Sequence, residues 1–137
     1  MIKIITGQTG EGKTKLMIDV ANKRVHALKG QAVYIDSTVT HRYALAHEIR
    51  LIEAVNMPLQ SCSSFIGFLC GIISANHDIE VVFIDELFKI THCTLDEMAC
   101  CFEDIKKLSD RYAIDFIIGT SCSKHDLPQH LTPYLIA

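Results

Sequence analysis

The sequence has no CxxC pair, no excess of basic charge, no internal repeat and no apolar run long enough to cross a bilayer. Each absence argues against a class of protein. Six cysteines invite a disulfide or zinc reading, but Cys70, Cys100 and Cys101 sit inside apolar helical runs. In a reducing compartment such cysteines behave as small buried hydrophobes. The pairs His92-Cys93 and Cys122 with His125 match no zinc-ligand spacing. A net charge of -3 and a pI near 6.1 leave no nucleic-acid footprint, which is normally a basic domain or stripe. The longest apolar stretch, SSFIGFLCGIISA at 63–75, is too short to span a membrane. The first residues lead into a short strand-like run and then glycines, without the long apolar stretch of a signal peptide, so the cytoplasm is the expected location.

What is present is an alternation of strand-like and helical runs across 137 residues, read as one domain, 1–137. That alternation is the pattern of a parallel α/β sheet. Strands are expected at 2–6, 32–36, 80–85 and 114–119, with a last one at 134–137. Helices are expected at 13–28, with Gly30 as its stop, at 63–75 and at 94–113. The helix at 63–75 is apolar nearly all round and therefore reads as buried. The one at 94–113 opens with a capping box, Thr94 with Glu97, and has an apolar face of Leu95, Met98, Phe102, Ile105 and Leu108. Between 37 and 60, THRYALAHEIR predicts a short helix capped by Thr40, and IRLIE fits either a strand or the end of that helix. A short turn or helix is expected near 126–131.

The chemistry starts at Gly7-Gln8-Thr9-Gly10-Glu11-Gly12-Lys13-Thr14, with Lys15 following. This fits G-x-x-x-x-G-K-[ST], the P-loop or Walker A pattern. Average residue usage gives that pattern by chance in roughly one such chain in two hundred. A strand before it and a helix after it supply the required context. Glycines let successive backbone N–H groups turn inward toward phosphate oxygens. The start of the following helix adds its dipole. Lys13 is expected to bridge the β- and γ-phosphates of a bound nucleotide, and Thr14 to contribute its hydroxyl to Mg²⁺.

A second pattern, VVFIDE at 81–86, reads as Walker B. Its strand delivers Asp85, a candidate Mg²⁺ ligand through water, at the strand's C-terminal end. Glu86 is placed to orient and deprotonate an attacking water. Gly119-Thr120-Ser121 ends the next strand, and a hydroxyl there is a candidate contact for the γ-phosphate. Asp36, at the tip of the second strand, either faces the γ-phosphate or caps the next turn. HRYALAHEIR is the richest polar cluster outside the glycine loop and reads as an exposed amphipathic helix or a contact for a partner, a base or a second substrate.

These motifs resemble those of the P-loop NTPases with an additional strand and a catalytic glutamate, the group containing RecA-like and AAA+ ATPases. Gly7 to Thr14, Asp85, Glu86 and Thr120 with Ser121 carry the likeness. It implies a three-layer core with a mainly parallel sheet of about five strands, order 5-1-4-3-2, and helices on both faces. The whole chain is also similar to small P-loop proteins of Firmicute bacteria to which a twitching-motility label is sometimes attached. The shared stretches are MIKII with the glycine loop, IDSTVTHRYALAHEIR, FIGFLCGIIS with DIEVVFID, and KLSDRY. Pilus-retraction ATPases themselves are much longer and carry boxes for which this chain has no room.

The resemblance implies ATP and Mg²⁺ as ligands, and a slow Mg²⁺-dependent ATPase or ATP-driven switch working on a protein partner or as a homo-oligomer. No guanine-reading NKxD motif is present. No arginine finger stands out; Arg24, Arg42, Arg50 and Arg111 are the candidates. Two alternatives stay open. Thymidine-kinase-like nucleoside kinases end the Walker B strand similarly, but their zinc-held lasso of paired cysteines is missing here. A nucleotide-binding module without catalysis is the other.

Overall fold

The structure is a computed structural model that describes residues 1–7, 12–38 and 42–136. Five strands, β1 (Ile2–Ile5), β2 (Gln31–Asp36), β3 (Arg50–Glu53), β4 (Ile79–Ile84) and β5 (Asp115–Gly119), form one sheet in the order β1-β5-β4-β2-β3. Every pairing is parallel. Helices α1 (Lys13–Val25), α2 (Cys62–Ala75), α3 (Leu87–Thr91) and α4 (Leu95–Tyr112) connect them.

The period of two along each strand divides the core in two. Ala32, Tyr34, Val81, Phe83 and Ile117 point to one face, where they pack with Met17, Ile18 and Ala21 of α1. Val33, Ile35, Val82, Ile84, Phe116 and Ile118 point to the other and pack with Phe65, Leu69 and Ile73 of α2 and Met98, Cys101, Phe102 and Ile105 of α4. Strands buried on both faces read as continuous apolar runs, which is why these segments were legible in sequence. Among the described residues no helix is long and apolar enough to cross a membrane.

The strand order differs from 5-1-4-3-2 at both edges. The strands at 2–5, 115–119, 79–84 and 31–36 follow one another as expected, but the sheet continues past β2 with β3. At the other edge the expected last strand does not form over 134–136; a 3-10 helix, Gln129–Tyr134, with Pro133 inside it, stands near the turn or helix expected at 126–131. Beyond it a single parallel bridge joins Leu135 to Ile4.

The segment after β2 forms turns, not the expected short helix; its predicted cap, Thr40, lies outside the described residues. Leu45 and Ile49 are four residues apart, as on a helix, but both are buried from a turn, where with the partly buried Leu51 they pack on the α1 side of the core. The Asn22 side chain of α1 holds this segment by donating to the Ala44 carbonyl at 2.8 Å and accepting from the Ala46 N–H at 2.7 Å. IRLIE resolves as strand β3. Helix α2 is not buried all round: Phe65, Leu69 and Ile73 face the core, while Gly67, Cys70 and Gly71 are exposed. An open cavity of about 710 Å³ lies between α2 and β3, lined by Val33, Leu51, Ile52, Phe68 and Ile72 among others.

Helix α1 ends at Val25, short of Leu28. Gly30 serves close approach, not helix termination: a Cβ there would lie 2.0 Å from the Asp78 carbonyl oxygen. Helix α4 has the predicted capping box, Thr94 with Glu97, but Leu95 is exposed and the buried stripe starts at Met98. The short helix α3 was not foreseen.

Two outcomes follow from packing and charge. Gly30→Ala forces backbone apart and is expected to lower stability by at least about 2 kcal/mol, measured by urea unfolding. At the N-terminal end of β5, burial would raise the Asp115 carboxyl, but Arg24 and the N-terminal ammonium at 3.3 Å outweigh it and hold it below the ordinary aspartate range. A depressed carboxyl adds stability above its unfolded value of about 3.9 and loses it as pH falls through the lower folded value. Asp115→Asn should therefore lower the unfolding temperature at neutral pH and shrink the loss of stability between about pH 4 and pH 2.

Candidate functional site

In a parallel sheet the C-terminal strand ends and the helix starts that follow them share one edge. Here that edge gathers the start of α1 after β1, the tip of β2, the end of β4 and the loop after β5. Of the glycine loop, Gln8, Thr9, Gly10 and Glu11 lie outside the described residues. Gly7 has φ 142° and donates its N–H to the Cys122 carbonyl at 3.1 Å, which ties the loop to the segment after β5. Gly12 caps α1 in the left-handed region, φ 80°, where glycine is the natural residue.

Lys13 opens α1 and turns inward. Its side chain is 4% exposed and pairs with Glu86 Oε1. Thr14 donates its hydroxyl to Asp85 Oδ1 at 3.4 Å. Lys15 points to solvent and lines an open cavity along α1 with Thr14, Ile18, Asp19, Asn22 and Ala44. At the end of β4, Asp85 donates its backbone N–H to the Ile35 carbonyl, which keeps it in register beside β2. Glu86 then leaves the strand with φ 64° and ψ 64°, a left-handed conformation that a glutamate rarely adopts. That turn sends its carboxylate back over the start of α1, where Oε1 meets Lys13 and Oε2 accepts from the Ser121 hydroxyl.

Thr120 is fully buried, and its hydroxyl contacts Cys122 Sγ at 3.2 Å, so of the two hydroxyls proposed near a phosphate it is Ser121 that meets Glu86. Asp36 is also fully buried and accepts from Thr38 N–H at 3.1 Å, a local turn closure of the kind its position suggested. Tyr34 is a site residue that sequence reading does not single out. It is fully buried, stacks on Phe83 with ring centroids 5.8 Å apart, and donates its hydroxyl to Asp85 Oδ2 at 3.0 Å. The available signal was a lone phenol on a strand position facing the core, since a buried hydroxyl requires a partner.

Burial pushes the Asp85 carboxyl above its ordinary range, and the charges of Asp36 and Glu86 add to this. The hydrogen bonds from Tyr34 and Thr14 act against it. The Tyr34 phenol is itself held far above its ordinary value by burial and by Asp85. It stays a neutral donor.

The arginine candidates lie apart from this edge or are engaged. Arg24 pairs with Asp115 at the opposite end of the sheet, Arg42 with Glu53 at 2.8 Å, and Arg111 stacks over Tyr112. Among the described residues no cluster of three or more His, Cys, Asp or Glu side chains is arranged to hold a metal by itself. The thiols are all free. No protein-family model and no curated protein matches the chain.

Among the described residues this edge brings together the buried Lys13 ammonium, the carboxylates of Asp36, Asp85 and Glu86, and the hydroxyls of Thr14, Tyr34 and Ser121. Removing Lys13 leaves Glu86 buried without its counter-charge, a change that typically costs about 3–5 kcal/mol. Lys13→Ala is therefore expected to destabilise the fold by that order. The double variant Lys13→Met with Glu86→Gln should recover most of it, as a double-mutant cycle in guanidinium will show.

Proposed function

We propose that the protein binds ATP with Mg²⁺ and works as a slow Mg²⁺-dependent ATPase or ATP-driven switch. The supporting observation is the convergence of two motifs 71 to 73 residues apart: Thr14 beside Asp85 and Lys13 beside Glu86, at the edge where open α/β sheets take ligands. The donor set suits the ion. A hydroxyl and a carboxylate oxygen are hard ligands, few enough to leave room for waters and phosphate oxygens. Thr14 and Asp85 would hold Mg²⁺, which when bound neutralises charge on the phosphates.

In this reading the chain's own groups divide the work. Lys13 binds phosphate oxygens, which the N-terminal end of α1 faces. Glu86, once away from Lys13, orients a water and takes its proton. Ser121 donates its hydroxyl to Oε2 of the Glu86 carboxylate. Tyr34 holds Asp85 by one oxygen and so fixes which oxygen faces Thr14. A protein partner is the expectation drawn from Walker A, Walker B and Glu86 read together with the resemblance to RecA-like and AAA+ ATPases.

Purified protein with ATP and Mg²⁺ is expected to release phosphate slowly. Glu86→Gln should stop release and keep nucleotide binding, and Lys13→Ala should weaken binding by roughly ten- to a hundredfold, the worth of a hydrogen bond to a charged group. Calorimetry on folded protein that detects no uptake of magnesium nucleotide at millimolar concentration would overturn the proposal.

A further inference from the structure

We propose that Glu86 is a latch on Lys13, which a phosphate must displace to enter, so that Glu86 and Ser121 together set the affinity of the site for phosphate-bearing ligands. The inference rests on the nucleotide reading above and adds the regulation of the same site.

Three observations carry it. First, the pair is shut away from water, with Lys13 4% and Glu86 6% exposed, so solvent does little to screen it. Second, both carboxylate oxygens of Glu86 are engaged, Oε1 by Lys13 and Oε2 by the Ser121 hydroxyl, so the side chain is held from two sides. Third, the backbone of Glu86 sits at φ 64°, a left-handed conformation that a non-glycine residue adopts only where surrounding contacts hold it. Those contacts are the ones that a ligand would break.

A phosphate oxygen reaches the Lys13 ammonium by taking the place of Oε1. The competent state is the one with the latch open. Apparent affinity is reduced by the fraction of molecules in that state, so any change that opens the latch tightens binding without adding a contact. Opening also releases the Glu86 carboxylate, which makes phosphate entry and the freeing of the candidate base a single event.

Ser121 gives the decisive test because removing its hydroxyl changes no charge. A latch predicts that Ser121→Ala tightens binding. A hydroxyl that serves the phosphate predicts that it weakens binding. A general field effect of Glu86 predicts no change. The experiment is calorimetric titration of the full chain with magnesium ADP, pyrophosphate and a non-hydrolysable ATP analogue, none of which is turned over. Glu86→Gln and Glu86→Gly are compared with Ser121→Ala, and thermal unfolding confirms that each variant is folded. Glycine suits the left-handed backbone and guards against a folding failure at 86. The expected result is tightening of at least about tenfold for both Glu86 variants and at least about threefold for Ser121→Ala. Unchanged or weaker binding by either residue's variants overturns the latch while leaving nucleotide binding in place. If no folded variant takes up any of the three ligands, and the parent protein does not either, the nucleotide reading itself fails and the latch falls with it.

Discussion

A lysine ammonium almost without access to water must have a negative partner, and the geometry around Lys13 follows from that requirement. The helix that carries it starts at the C-terminal edge of the sheet, and the carboxylate that meets it belongs to Glu86, two residues past β4. Glu86 reaches it by abandoning extended backbone for a left-handed turn, and Ser121 completes the contact from the loop after β5. Three connections are thereby drawn to one point. The backbone bond from Gly7 to Cys122 and that from Thr120 to the Ile5 carbonyl at 2.9 Å fasten the same strand ends together.

The parts of this arrangement that were legible in sequence are those where one residue type has one physical use. Continuous apolar runs gave four of the five strands, β1, β2, β4 and β5, because a parallel sheet covered on both sides leaves no polar face. Gly12 before Lys13 and Asp85 after an apolar strand gave the edge. Thr94 and Glu97 gave the start of α4, since the reciprocal bonds of a capping box demand those two residues at that spacing.

Where sequence reading fell short, tertiary contacts had overridden local pattern. Leu45 and Ile49 are spaced as on a helix, yet the Asn22 amide fixes their backbone in turns and each leucine or isoleucine simply fills a gap. Helix α2 has apolar residues on nearly every side, but the sheet offers it only one surface, so the stripe of Phe65, Leu69 and Ile73 is buried and the glycine side is not. No periodicity distinguishes such a helix from a fully enclosed one. Tyr34 was passed over because its strand looked complete without it; its meaning depends on Asp85, 51 residues away. The strand at 50–53 is four residues long, too short for alternation to decide.

The two bonds made by Asn22 have a mechanical meaning. They join α1, which begins with Lys13 and Thr14, to the turn that runs into the outermost strand. A single side-chain amide thus ties the helix that carries Lys13 and Thr14 to that far rim of the sheet, beside which the open cavity lies.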